Sequence, residues 1–330
     1  MLRVAILDDY QGVAATLADW DALGPDTEVH VYRDHLKDAG RVGERLAPIH
    51  AVVAMRERTP FPGPLLQRLP ELRLLVTTGM ANASIDVDSA TRLGIVVCGT
   101  GGLKYPTAEL TWGLILSLAR HIPHEDRATR GGHWQTTLGT GLQGKVLGVI
   151  GLGTLGSQVA TIGRAFGMTV IAWSQNLTGE RAAQFGATLV SKDELLSRAD
   201  VVTIHLKLSA RTTGVLGRRE FGLMKPSALL VNTSRGPIID ETAMVEALEQ
   251  RTLAGAGLDV FDDEPLPLDH PFRRLERVVI TPHLGYVTVE GYEVFYRDAA
   301  DDIRAFLAGT PVRVLNPAVL SSSHLRRRPQ

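Results

Sequence analysis

A chain of 330 residues, 44% of them hydrophobic, is long enough for two domains that each bury a core. Its formal charge of −1 and pI near 6.8, with charges interspersed, argue against a nucleic-acid or membrane-surface footprint. Cys98 is the single cysteine, which excludes an intramolecular disulfide and a cysteine zinc cluster and fits a reducing compartment.

The opening MLRVAILDDY enters a strand-like apolar run without the features of a signal peptide. No run approaches the ~18 apolar residues of a spanning helix, so a cytoplasmic protein is expected. Leu2 to Leu7 predicts a buried strand, Val13 to Trp20 a helix, and Val29 to Tyr32 and Ala51 to Met55 further strands. Leu65 to Leu69 predicts a helix stopped by Pro70. Leu72 to Val76 then reads as a strand ending at Thr77-Thr78-Gly79, Val87 to Leu93 as a helix, and Ile95 to Cys98 as a strand. This alternation is an α/β unit. Gly99-Thr100-Gly101-Gly102 interrupts it, and Pro106 opens an amphipathic helix, Thr107 to Arg120, with Glu109 in its first turn. A domain boundary falls there.

Gly131 to Gly144 reads as a loop leading into the stretch that organises the rest. Val146 to Ile150 is a short apolar run, and Gly151, Gly153 and Gly156 form G-x-G-x-x-G around Thr154 and Leu155. Val159, Ile162, Gly163 and Phe166 then repeat at helical spacing before a second apolar run, Met168 to Trp173. This is half of a βαβ dinucleotide site. Gly151 permits a tight turn, Gly153 lets backbone approach a pyrophosphate, and Gly156 lets the helix pack closely on the strand. Free helix N–H groups then hold the phosphate charge. In an NAD site the second strand ends in Asp or Glu about 20 residues past the glycines, accepting from the ribose 2′-hydroxyl. Ser174, Gln175 and Asn176 stand there instead, with no adjacent arginine and Arg181 a short way on, so NAD and NADP are both open.

Alternation resumes with strand Thr188 to Val190, helix Lys192 to Ser197, strand Val201 to Leu206, helix Arg219 to Met224 and strand Ala228 to Asn232. Helix Glu241 to Glu249 and strands Gly255 to Val260 and Val278 to Thr281 follow. A mostly parallel sheet with helices on both faces is predicted, with ligands beyond the strand C-termini. From Val287 onward Val294, Tyr296, Ile303, Phe306 and Leu307 repeat helically as far as Gly309, and Arg326, Arg327 and Arg328 read as a solvated, mobile end.

Arg235, Glu264 and His283 each follow a buried-strand pattern, so a doubly wound sheet brings them to one edge. Their chemistry suits hydride transfer to a 2-oxo acid. Arginine grips a carboxylate with two parallel hydrogen bonds and polarises the adjacent carbonyl. Histidine protonates the carbonyl oxygen as hydride arrives, and removes that proton in reverse. A carboxylate on its other nitrogen, the role read for Glu264, orients the ring and favours the imidazolium. Asp259, at a strand end, is a candidate acceptor for a nicotinamide carboxamide.

At these residues the sequence resembles the D-isomer-specific 2-hydroxyacid dehydrogenase family over almost the whole chain. GKVLGVIGLGTLG, MKPSALLVNTSRGPIIDE, AGAGLDVFDDEPLP and TPHLGY carry the resemblance, with the looser TTGMANASIDV and YPTAELTWGLILSLAR. It implies Arg235, Glu264 and His283 as the catalytic residues. It also implies two doubly wound, Rossmann-like α/β domains, a dinucleotide-binding domain over 101–287 inserted into a flavodoxin-like substrate domain over 1–100 and 288–330. The active site is then expected in the cleft between them, and a homodimer through the dinucleotide domain.

The implied cofactor contacts are Gly151, Gly153, Thr154, Leu155, Gly156, Ser174, Gln175, His205, Leu206, Thr233, Ser234, Arg235, Asp259, His283 and Gly285. Substrate contacts are implied at Thr78, Gly79, Met80, Arg235 and His283, with Met55, Arg56, Arg58 and Met80 as candidate walls, and no metal. Three positions depart from the family pattern: Ser174 replaces the aspartate of NAD-preferring relatives, Thr111 a frequent histidine and Lys207 a frequent proline. Neither a regulatory extension nor serine feedback is expected. The implied activity is NAD- or NADP-dependent interconversion of a small 2-oxo acid, glyoxylate or hydroxypyruvate first, and its D-2-hydroxy acid. A phosphoglycerate dehydrogenase is the alternative among enzymes, ahead of a formate dehydrogenase. A dinucleotide-sensing binding protein without catalysis is the alternative outside them.

Overall fold

Two parallel sheets account for the strands of residues 1–326, which the computed structural model describes. The chain divides into one unit of Met1–Leu103 with the segment from Thr288 onward, and a second of Lys104–Val287.

In the first unit Leu2–Ile6 (β1), Thr27–Val31 (β2), Ala51–Ala54 (β3), Leu74–Thr77 (β4) and Val96–Gly99 (β5) pair in the order β2-β1-β3-β4-β5, all parallel. That is the flavodoxin-like order. Every residue of β3, β4 and β5 is buried, which is why these strands are unbroken apolar runs and not alternating ones. Between the strands run Ala14–Leu17 (α1), Ala39–Leu46 (α2), Gly63–Gln67 (α3) and Val87–Arg92 (α4). The helix expected over Val13 to Trp20 is a single turn, α1. Ala18 already has extended backbone, and the Trp20 indole N–H donates back to Ala14 O at 2.7 Å.

The second unit opens with Pro106–Ala119 (α5) and Ile122–Arg130 (α6). Its strands are Val146–Ile150 (β6), Thr169–Trp173 (β7), Thr188–Leu189 (β8), Val201–Ile204 (β9), Leu229–Asn232 (β10), Gly255–Leu258 (β11) and Val278–Ile280 (β12). Helices Thr154–Ala165 (α7), Gly179–Gln184 (α8), Lys192–Arg198 (α9), Arg218–Leu223 (α10) and Glu241–Glu249 (α11) connect them. The sheet order is β12-β11-β10-β9-β6-β7-β8, parallel throughout, and the winding reverses between β6 and β9. Such a reversal leaves a crevice beyond the two strand ends, where ligands bind in open α/β sheets.

Val289–Leu307 (α12) belongs to the first unit. The Thr288 hydroxyl accepts from Gly291 N–H at its start, and Gly309, at φ +81°, ends it. The chain then pairs with β5: Leu315 N–H donates to Val97 O at 2.7 Å and Gly99 N–H to Arg313 O at 3.1 Å. Arg326 is not the solvated end that its charge suggests. Its guanidinium donates to Leu69 O and Leu72 O, both at 2.8 Å, which ties the charge to backbone carbonyls of the first unit. Arg327 and Arg328 lie outside the described residues. No described helix is long and apolar enough to cross a membrane.

Candidate active site

Because β10, β11 and β12 are parallel, the residues that follow them share one sheet edge. Asn232 closes β10 with an Asx turn, accepting from Ser234 N–H at 3.0 Å and donating to Arg235 O at 3.0 Å. The turn is tied to the end of β9 by the Ser234 hydroxyl, which donates to Leu206 O. Gly236 lies flush on Phe261, where a Cβ would overlap the backbone, so the arginine loop abuts the segment leading to Glu264. Arg235 Nη1 donates to Ser234 O at 2.7 Å.

Glu264 uses both oxygens. Oε1 accepts from Phe261 N–H at 2.9 Å, and Oε2 lies 2.6 Å from His283 Nδ1. His283 has left-handed backbone at φ +55°, and its ring meets the edge of Tyr286 at 5.4 Å. With Nδ1–H donated to a carboxylate, Nε2 is the nitrogen left for chemistry. A second histidine–carboxylate pair shows the difference. His270 spends Nε2 on Glu241 at 2.9 Å and Nδ1 on Phe272 N–H at 3.3 Å, so both nitrogens are structural.

Asp259 anchors the His283 loop. Its buried carboxylate accepts from Thr281 Oγ1 (2.6 Å), Leu284 N–H (2.7 Å) and Gly285 N–H (2.9 Å). Burial pushes this carboxyl above the ordinary range, against the donors, which favour the charged form. Gly285 O in turn accepts from the Thr107 hydroxyl at 2.7 Å, and Thr111 bonds Thr233 at 2.8 Å, so α5 braces both loops. Thr111 was visible in the sequence only as a departure. Its structural partner is 122 positions away.

Gly151 and Gly156 meet the steric demands that the sequence assigns them. Gly151 has φ +96°, and its Cβ would meet His205 O at 2.7 Å; a Cβ on Gly156 would overlap Gly151 O; Gly153 faces open space. No side chain caps α7, so its leading N–H groups, from Gly153 through Thr154 and Leu155, have no side-chain acceptor. A bare glycine in front of an uncapped helix fits a pyrophosphate. His205, at the end of β9, bonds Thr203 Oγ1 at 2.9 Å, and burial lowers it to about 4, which keeps the ring neutral. Ser174, Gln175 and Asn176 line a cleft of about 490 Å³ with Lys207 and Arg211. Arg181 turns away, donating to Gln184 Oε1 at 2.8 Å with its guanidinium 4.5 Å over Phe185.

The loop after β4 lies in the first unit. Thr78 N–H is taken by Ala54 O at 3.0 Å and Gly79 N–H by Thr100 Oγ1 at 2.8 Å, so Met80 supplies the backbone donor at the tip. Arg56 Nη1 donates to Thr78 O at 3.0 Å, and Arg58 Nη1 to Asp8 O at 2.7 Å. Met80 is exposed, whereas Met55 is buried in the core.

Residues 112–285 match the family described as D-isomer specific 2-hydroxyacid dehydrogenase, NAD binding domain. The chain is 40% identical over 267 residues to a glyoxylate reductase of Aeropyrum pernix, covering 78% of this chain and 80% of that one. It is 37% identical over 271 residues to a D-3-phosphoglycerate dehydrogenase of Synechocystis, with 81% of this chain but 49% of that protein covered. Among solved structures, the phosphoglycerate oxidoreductase of Vibrio cholerae superposes with a TM-score of 0.89 at 35% identity, over 94% of this chain and 100% of that one.

Proposed function

The chain belongs to the D-isomer specific 2-hydroxyacid dehydrogenase family, and from that premise we propose that it interconverts a small 2-oxo acid and its D-2-hydroxy acid with NAD(P). Glyoxylate and hydroxypyruvate are the first substrates of this reading. The observation that carries it is the 2.6 Å Glu264–His283 pair on the sheet edge that also bears Arg235 and the glycine loop.

A bound nicotinamide cofactor supplies or accepts the hydride. Arg235 grips the substrate carboxylate and draws electron density from the neighbouring carbonyl. His283 holds a proton at Nε2 for the carbonyl oxygen and takes it back in the oxidative direction, while Glu264 fixes the ring through Nδ1. The backbone of Thr78, Gly79 and Met80 is assigned to the substrate carboxylate, with Met80 N–H as the available donor. Within this proposal 101–287 is the dinucleotide domain, and 1–100 with 288–330 the substrate domain. The working enzyme is a homodimer in the cytoplasm, where the buried thiol of Cys98, pushed up to about 12 by its burial, stays reduced and inert.

Assay of glyoxylate, hydroxypyruvate and larger 2-oxo acids with NADH and NADPH tests the reading. Reduction of the small acids, and a loss of about 10²–10⁴-fold in kcat for His283→Ala, are expected. Full turnover by that variant would remove the histidine from its role. A second reading, oxidation of D-3-phosphoglycerate, draws support from Arg56, a cation of the first unit bonded to the Thr78 loop. An appreciable rate with that substrate would promote it.

A further inference from the structure

We propose that the chain leaving β7 and the turn after β9 form a binding site for the 2′-phosphate of NADP(H), so that this protein prefers the phosphorylated dinucleotide. The inference rests on the dinucleotide reading above and settles a choice that the reading leaves open.

In the βαβ arrangement the residues after the second strand face the adenosine ribose. Here those residues are Ser174, Gln175 and Asn176. They offer no carboxylate to grip a ribose 2′-hydroxyl, and none to repel a phosphate. The cleft they line has Lys207 and Arg211 in its wall and no Asp or Glu anywhere in its lining. Both cations are exposed, and neither is held in an ion pair among the described residues. Arg181, nearer in sequence, is committed to its own helix.

Position and rigidity support the same assignment. In the sheet, β7 and β9 are the two neighbours of β6, so their ends flank the glycine loop where a pyrophosphate would lie. The turn after β9 is pinned from within: Ser209 N–H donates to Thr212 Oγ1 at 2.8 Å, and the Thr212 hydroxyl donates to Lys207 O at 2.7 Å. It is pinned to the other wall as well, because Gln175 Nε2 donates to Arg211 O at 3.3 Å. Lys207 and Arg211 therefore extend from backbone whose place is fixed by the residues that would meet the ribose. A phosphate dianion gains charge-assisted hydrogen bonds from both, while NADH leaves two cations of one cleft without a counter-ion.

Titration of the full chain with NADPH, NADH, 2′,5′-ADP and 5′-AMP, followed by calorimetry and cofactor fluorescence, reads this without turnover. NADPH is expected to bind at least about tenfold tighter than NADH, with the same sense for the two adenosine fragments, as hydrogen bonds to charged groups in an exposed site provide. The advantage shrinks as salt is raised. Lys207→Ala combined with Arg211→Ala brings the NADPH to NADH affinity ratio towards one, and Ser174→Asp alone inverts it; thermal melts check that both variants fold. Equal or tighter binding of NADH to the unaltered protein overturns the inference and leaves the dinucleotide reading standing. A preference for NADPH that survives the double substitution overturns the assignment to these two side chains. Binding of neither dinucleotide overturns the reading itself.

Discussion

Three glycines of one motif fail in different ways when a methyl group is added, which makes them a test of the site at single-residue resolution. Gly156→Ala sets a Cβ against Gly151 O, a backbone atom that cannot swing aside. The expected cost is about 1–3 kcal/mol of stability together with lost dinucleotide affinity. Gly153→Ala meets no protein atom within 4 Å, so its urea midpoint should stay near that of the unaltered chain while dinucleotide binding falls. Unfolding curves and cofactor titrations on both variants separate the two; a Gly153 variant that binds normally would displace the pyrophosphate from this loop. The turn at Gly151 and the close packing at Gly156 were legible from the sequence because both are local demands on the backbone. The Thr111–Thr233 brace and the pinning of Leu206 O by Ser234 were not, since each joins positions that only the sheet order brings together.

Helices and strands were legible in proportion to what they bury. Glu241–Glu249 carries its cap, Asp240, and an apolar face, and its predicted and observed limits coincide. Ile122–Arg130 buries none of its residues, so no apolar period marks it, and Ala39–Leu46 is only eight residues long, with two glycines and three buried positions. At the same scale α12 holds a titration that can be measured. Asp302 is fully buried on this helix, bonded to Arg313 Nε at 3.0 Å, with Oδ2 left without a partner. Burial raises it from 3.8 to about 7 in spite of the arginine. Between those two values the folded protein binds more protons at this site than the unfolded chain, so its contribution to stability is largest at low pH and declines as pH rises towards 7. Asp302→Asn should flatten that decline, gaining on the order of 2 kcal/mol relative to the unaltered protein at pH 8 compared with pH 5. Urea midpoints at the two pH values decide it; parallel pH dependences for the two proteins would mean that Asp302 is ionised throughout.

For the molecule as a whole, the alternation of strands and helices made two doubly wound sheets legible, because unbroken apolar strands separated by helices have few other arrangements. The surface was less so. Residues 131–141 are almost all exposed, including Trp134 at 78% and Leu138 at 94%, with Ile122 at 51% close by in sequence. The segment is nevertheless held, since Glu125 accepts from the hydroxyls of Thr137 (2.6 Å) and Thr136 (2.9 Å), bonds that lower its carboxyl to about 2. Two large apolar side chains on a tethered segment in water suit the proposed subunit interface. Light scattering should give twice 35.7 kDa for the native chain and a monomer for Trp134→Glu with Leu138→Glu; a native monomer would remove the dimer from the proposal. The division of the chain also bears on its birth. Nascent domains ordinarily mature in the order in which they leave the ribosome. Here α12 and the strand partner of β5 come last, so the first-made sheet must wait, with one face uncovered, until the whole of the later-made unit has emerged.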